Sequence, residues 1–216
     1  MQSKKGILAL NGELKGKKEE YLSFINNQES FLIAADAGVL LYQKLALSPD
    51  VLIGDFDSLD NSILQSYESK GIDVIKYPKE KDETDGELAI KYCIDNDIDE
   101  IIIIGSFGGR FDHQLANILL LEYAYHHQIN AIIKDIDIEI ALISSYKRFD
   151  NCQNDILSLI PLDAKVDGIR IEGCRYNVEE ESLFRYKSRG ISNQIIEERA
   201  EVRVDNGLLL YMKSKG

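Results

Sequence analysis

The sequence predicts an α/β fold: an N-terminal, mostly parallel sheet flanked by helices, followed by a C-terminal all-β, sandwich-like domain. Three observations predict it. Short apolar, β-rich runs alternate with helix-period segments through the first two thirds of the chain, the pattern of a sheet covered by helices. From about Asp135 the texture changes to strand-length runs separated by Gly, Asn and Asp. The 216 residues, 44% hydrophobic and 29% charged, are enough for one large domain or two small ones with a real core. The boundary is placed between an α/β domain at 1–134 and a β domain at 135–216.

In chain order, the first strand candidates are Ile7–Leu10, Phe31–Ala35, Val51–Ile53, Asp73–Lys76, Glu100–Ile104 and Ala131–Lys134. Each is a short apolar or β-branched run bounded by turn residues. Helices are expected between them at Lys17–Asn27, Gly38–Leu45, Ser62–Lys70, Asp85–Asn96 and Phe111–His127, the last with Leu115, Ile118 and Leu119 on its apolar face. Strands of the second part are expected at Ile136–Ile143, Ile156–Ile160, Lys165–Ile171, Ile195–Arg199, Ala200–Val204 and Leu208–Met212. No repeat or Pro-rich linker interrupts the chain. Ligands of an open α/β sheet bind beyond the carboxyl ends of its strands, so chemistry is expected just after the first set of runs.

Charge excludes some partners. Lys and Arg number 25 against 37 Asp and Glu, a net charge of −12, the reverse of the basic footprint of nucleic-acid or anionic-membrane binders. No apolar run approaches the roughly 18 residues of a membrane span. The stretch Ile7-Leu8-Ala9-Leu10 is too short for the apolar region of a signal peptide. Cys93, Cys152 and Cys174 are odd in number and far apart, with no zinc spacing, which fits a reducing cytoplasm.

Three segments could carry chemistry. In Gly54-Asp55-Phe56-Asp57-Ser58, Asp55 and Asp57 lie two apart after an apolar run, so their carboxylates can converge on a hard cation; a solvated turn is the alternative. In Lys81-Asp82-Glu83-Thr84-Asp85-Gly86-Glu87, Thr84 and Glu87 form a capping box that opens a helix. The cap accounts less well for Asp82, Glu83 and Asp85, which repel one another unless a cation sits among them, and a metal role is assigned to Asp85. In Gly105-Ser106-Phe107-Gly108-Gly109-Arg110-Phe111-Asp112-His113, glycines and a helix start offer backbone N–H groups to phosphate oxygens, and Arg110 adds a fork of donors. It matches neither the dinucleotide fingerprint nor a Walker loop. A plain strand-to-helix turn capped by Asp112 is the alternative.

Taken in order, Ala35-Asp36-Ala37-Gly38, Pro49-Asp50 to Ser58, Lys81 to Asp85, Gly108 to Asn117 and Gly190-Ile191-Ser192-Asn193 resemble the thiamin pyrophosphokinase family over nearly the whole chain. The resemblance implies transfer of the diphosphate of ATP to the hydroxyl of thiamin, giving thiamin diphosphate and AMP, with Mg²⁺ as cofactor. It implies a homodimer with active sites shared between chains. On the family pattern Asp55, Asp57 and Asp85 are the Mg²⁺ ligands with Asp82 nearby, and Asp36, Gly38, Thr84, Gly108, Gly109, Arg110, Asp112 and His113 are the ATP-handling residues. Tyr176 matches the aromatic that covers thiamin, and Ser192 and Asn193 match its polar contacts. Two positions depart from the pattern: Ala37 stands where glycine is common and Asn177 where proline is usual.

Catalysis of this kind rests on alignment and charge neutralisation, with Asp55, Asp57, Asp82, Asp85 and Arg110 as the catalytic set and Asp82 or Asp85 as proton acceptor. The alternatives are a diphosphokinase for another flat alcohol such as a pterin, a metal-dependent phosphatase with Asp55 as nucleophile, and a non-catalytic nucleotide or vitamin sensor.

Overall fold

A computed structural model describes residues 4–25 and 30–216. It divides into two compact units, Met1–Ile136 and Asp137–Gly216.

The first unit is an α/β layer built on six parallel strands: β1 (Lys5–Ala9), β2 (Ser30–Ala35), β3 (Val51–Gly54), β4 (Asp73–Lys76), β5 (Glu100–Ile104) and β6 (Asn130–Lys134). Their spatial order is β6-β5-β1-β2-β3-β4, every neighbouring pair parallel. The apolar runs are this continuous because central parallel strands are covered on both faces; β3, Val-Leu-Ile-Gly, is buried at every position. The chain winds outward from β1 to β4 and then returns to the other side of β1 with β5. That reversal is a topological switch point, whose crevice lies at the carboxyl ends of β1 and β5.

Helices α1 (Lys18–Leu22), α2 (Val39–Leu45), α3 (Asn61–Ser69), α4 (Asp85–Asp95) and α5 (Phe111–His126) connect these strands. The first is shorter than expected: it ends at Leu22, and Asn26 and Asn27 of the expected range lie outside the described residues. A single 3-10 turn, Asp36–Gly38, precedes α2. Gly38 is needed there by close approach, since a Cβ would stand 2.0 Å from the Ala9 carbonyl oxygen. Helix α4 begins at the expected capping box, Thr84 Oγ1 accepting from Glu87 N at 3.2 Å and Glu87 Oε2 from Thr84 N at 2.7 Å. It buries Leu88, Ala89, Ile90 and Cys93. Helix α5 differs from expectation: its buried residues are Leu120, Leu121 and Ala124, whereas Phe111, Leu115 and Leu119 are 78%, 49% and 47% exposed.

The second unit is a sandwich of antiparallel sheets. One sheet has the order β12-β9-β14-β7, from β7 (Ile138–Ile143), β9 (Ile156–Pro161), β12 (Asn193–Gln194) and β14 (Leu209–Ser214). The other has the order β11-β10-β13-β8, from β8 (Tyr146–Asp150), β10 (Lys165–Glu172), β11 (Val178–Phe184) and β13 (Arg199–Arg203). Alternation buries one face of β9, where Leu157, Leu159 and Pro161 point inward, and of β13, where Ala200 and Val202 do. Phe149 of β8 meets Tyr211 of β14 edge to face at 5.1 Å, which joins the two layers. The expected strand Ile195–Arg199 is not one: Ile195 makes a single bridge to Cys174, and the ladder of β13 starts only at Arg199. Strands β8, β11 and the two-residue β12 lie outside the expected runs.

Candidate functional site

Four of the motifs sit at carboxyl ends of parallel strands. Asp36 follows β2, Asp55 follows β3, Asp85 opens α4 after β4, and Gly105 to Arg110 join β5 to α5. Carboxylate oxygens of Asp36, Asp55 and Asp85 all lie within 4.8 Å of one another. Gly54 permits this, because a Cβ there would stand 3.2 Å from Asp36 Cα and 3.3 Å from Asp85 Oδ1. The trio differs by one residue from the expected set. Asp57 lies outside it on the exposed rim, its carboxylate 2.5 Å from Lys79 Nζ, and Asp36 supplies the third oxygen. Asp82 is exposed on the loop before α4 and is not part of the trio.

The backbone is strained where these side chains project. Asp36 (φ 46°) and Phe56 (φ 58°) are left-handed without being glycine. A bulky residue there costs of order 1–3 kcal/mol and is tolerated when its surroundings fix it; Phe56 is buried.

The charges within the trio are unequally compensated. The Asp57 backbone N–H donates to Asp55 Oδ1 at 3.0 Å, and that bond, with Lys81, holds Asp55 below the usual carboxylate range. Burial pushes Asp85 up, against the pull of Lys81 and with the charges of Asp36 and Asp55 adding to the rise. Asp36 Oδ2 accepts from the Ser58 hydroxyl at 2.7 Å, but its Oδ1 is buried without a hydrogen bond. Asp85 Oδ1 is buried too; Lys81 Nζ stands 3.0 Å away as an ion contact, off the direction a hydrogen bond needs. Buried oxygens of this kind are costly unless a partner arrives. Hard carboxylate oxygens converging at this spacing fit a divalent cation such as Mg²⁺.

The glycine loop is fastened from both sides. Asn117 Nδ2 donates to Ser106 O at 3.0 Å and Gln114 Nε2 to Gly109 O at 3.3 Å, so the first turns of α5 hold the loop. Glu13 N donates to Phe107 O at 2.7 Å from the loop after β1. Gly108 and Gly109 are left-handed, which aims the loop as only glycine does readily. Arg110 forks onto Asp112, Nε to Oδ1 at 3.1 Å and Nη2 to Oδ2 at 2.5 Å, and this pairing keeps the Asp112 carboxyl low. Both are exposed, as is His113, whose N–H donates to Asp112 Oδ1. The Thr84 hydroxyl is engaged by the capping box.

In the sandwich unit a cavity of about 270 Å³ is lined by Leu157, Leu159, Ile171 and Val178, with Tyr176 and Asn193 among its polar groups. Asn193 is buried, and its amide clamps the Tyr176 backbone: Oδ1 accepts from Tyr176 N at 3.0 Å, and Nδ2 donates to Tyr176 O at 2.8 Å. Asn177 Oδ1 accepts from Cys174 N at 3.0 Å, so a side-chain turn shapes the loop where proline is usual. Tyr176 is 67% exposed. Ser192 is exposed and left-handed (φ 59°), its N–H donating to Ser158 Oγ.

Sequence reasoning missed two features of the acidic site. The family pattern makes Asp36 a nucleotide contact, and the Lys81 to Asp85 motif gives Lys81 no role of its own. The left-handed turn at Asp36 leaves no trace in a run as ordinary as Ala35-Asp36-Ala37.

Comparison with known proteins gives one family for both parts of the chain. Residues 22–133 match the model of the thiamin pyrophosphokinase catalytic domain, and residues 143–209 match that of the thiamin pyrophosphokinase vitamin B1 binding domain. The chain is similar to thiamine pyrophosphokinase of Bacillus subtilis, 26% identical over 204 residues, covering 94% of this chain and 92% of that protein. It is 24% identical over 177 residues to thiamine pyrophosphokinase 1 of Oryza sativa, spanning 77% of this chain and 66% of the relative's length. The crystal structure of thiamine pyrophosphokinase from Bacillus subtilis shares the fold, with a TM-score of 0.85 at 22% identity over 99% of this chain and all of that one.

Proposed function

Because the chain belongs to the thiamin pyrophosphokinase family, we propose that it transfers the diphosphate of ATP to the hydroxyl of thiamin, releasing AMP. The observation that carries this reading is the pairing of an acidic trio with a glycine loop at the carboxyl ends of one parallel sheet. A cation binds the first and phosphates the second.

Asp36, Asp55 and Asp85 are the residues that would hold Mg²⁺, which when bound neutralises phosphate charge. Asp57 can join them, since its ion pair with Lys79 is exposed and screened by water. The loop amides of Gly108 and Gly109, with His113, orient the triphosphate. Arg110, whose fork rests on Asp112, would give up that exposed pairing to meet the oxygens that gain charge as the bond to AMP breaks. Asp82, outside the trio and exposed, is the carboxylate left to accept the hydroxyl proton. In the sandwich unit Tyr176 offers a ring face to the thiazolium, a contact worth about 0.5–2 kcal/mol. Asn193 fixes the loop that carries that ring, and Ser192 supplies a polar contact at the same edge.

The match of residues 143–209 to a vitamin B1 binding domain supports thiamin over a pterin alcohol. A homodimer is supported by the exposed apolar row Phe111, Leu115 and Leu119 on α5, at i, i+4 and i+8, which a second copy would cover; sharing of sites between its chains rests on the family pattern alone. Three buried free thiols fit a cytoplasmic protein. No helix among the described residues is long and apolar enough to cross a membrane. The test is AMP release from ATP and Mg²⁺ with thiamin, with a hydroxymethylpterin, or with neither. Release driven by thiamin alone is expected; equal release with the pterin would overturn the substrate assignment.

A further inference from the structure

Lys81 lies where a soluble lysine rarely does. Its side chain is 11% exposed, and its Nζ stands 3.3 Å from Asp55 Oδ2 and 3.0 Å from Asp85 Oδ1. Those two residues, with Asp36, form the acidic trio, whose oxygens lie within 4.8 Å of one another. Three carboxylates so close repel one another, and a lysine enclosed to this degree gives up part of its hydration and rotamer freedom. Each problem answers the other: the ammonium is the one cation that the described residues place on Asp85, and it also contacts Asp55.

A divalent ion needs the same oxygens. Mg²⁺ binds carboxylates at about 2.0–2.1 Å and demands near-octahedral geometry. An ammonium within hydrogen-bond distance of both Asp55 and Asp85 occupies part of that shell, and two cations at such separation repel strongly. The geometry points to Lys81 as a built-in counter-cation that holds the trio together in the metal-free protein and is displaced from it when metal binds. This rests on the metal reading of the trio given above. Lys81 sits on the loop between β4 and α4, outside any regular element, so the side chain can leave without unwinding a helix or strand.

The first experiment needs no variant. The whole protein is briefly acylated with an amine-reactive reagent, with and without saturating Mn²⁺, and each lysine is quantified by peptide mass spectrometry, with exposed Lys44 of α2 as reference. Lys81 should be protected without metal and should react several-fold faster once Mn²⁺ is bound, while Lys44 is unchanged. Saturable Mn²⁺ binding with Lys81 still protected would overturn the displacement and leave the metal reading standing. Absence of saturable binding, or binding untouched by Asp85→Asn, would instead remove the metal reading and this inference with it. In the second experiment, Lys81→Met should bind Mn²⁺ about tenfold more tightly by calorimetry, with Lys81→Arg keeping the weaker wild-type affinity. Unchanged or weaker binding in Lys81→Met would contradict the competition.

Discussion

Asp36 and Asp85 each bury a carboxylate oxygen with no hydrogen bond, and these atoms hold much of the functional argument. Replacing either by Asn keeps the shape and removes a charge from a repelling cluster. Asp36→Asn and Asp85→Asn should therefore each weaken Mn²⁺ binding by about tenfold or more; without metal, Asp36→Asn, which leaves the Lys81 contacts in place, should melt no lower than wild type, whereas Asp85→Asn also removes the Lys81 ion contact and should melt lower. Calorimetry on both forms checks the pair; a lower melting point with unchanged metal affinity would assign these residues to the fold instead. The cysteines show the opposite use of burial. It pushes Cys93 up to about 12 and Cys174 up to about 11, so at pH 8 the Cys93 thiolate is roughly one part in ten thousand. All three thiols should resist alkylation in the native protein and react on unfolding. A raised thiol contributes stability that is full below its ordinary value of 9.0 and is lost as pH rises toward the folded value. Stability should thus fall between about pH 9 and 12. Rapid native alkylation of any of the three would contradict their burial.

At the scale of elements, α4 ties the chemistry to the fold, because the box that starts the helix also sets Asp85 at its first position. Thr84→Ala removes the side-chain acceptor for Glu87 N and should cost about 1 kcal/mol, with Thr84→Ser restoring most of it. Denaturant unfolding reads this directly, and a loss below a few tenths would show the cap to be idle. The capping box was legible in sequence because it is local, as were the buried parallel strands, whose apolar runs need no partner to be recognised. Strands β8 and β11 were not. Tyr146-Lys147-Arg148-Phe149-Asp150 and Val178-Glu179-Glu180-Glu181 are highly charged, and both strands lie at the edges of their sheet, where charge on the outer face discourages further pairing. Ile195–Arg199 misled in the other direction. Its isoleucines are apolar enough for a strand, but Ile195 packs as a single bridge beside the loop that Asn193 clamps. The gathering of Asp36 with Asp55 and Asp85 was invisible for a different reason: it depends on the order of strands and on a left-handed turn, neither of which is written in local spacing.

For the whole molecule, the resemblance in sequence and the match of both family models agree on the α/β-plus-sandwich fold and on the reaction. Shared sites would leave Asp85 from one chain serving Tyr176 of the other. Mixing Asp85→Asn with Tyr176→Ala under subunit exchange should then restore activity, because each mixed dimer carries one intact site, about a quarter of all sites at random pairing. No gain over the separate variants, with exchange confirmed, would confine each site to one chain. The central claim is transfer of a diphosphate rather than a single phosphoryl group, and ATP labelled at its β phosphorus tests it most directly. With Mg²⁺ and thiamin, the label should move into thiamin diphosphate in step with an equal amount of unlabelled AMP. Label left in ADP, with thiamin monophosphate as the other product, would contradict it.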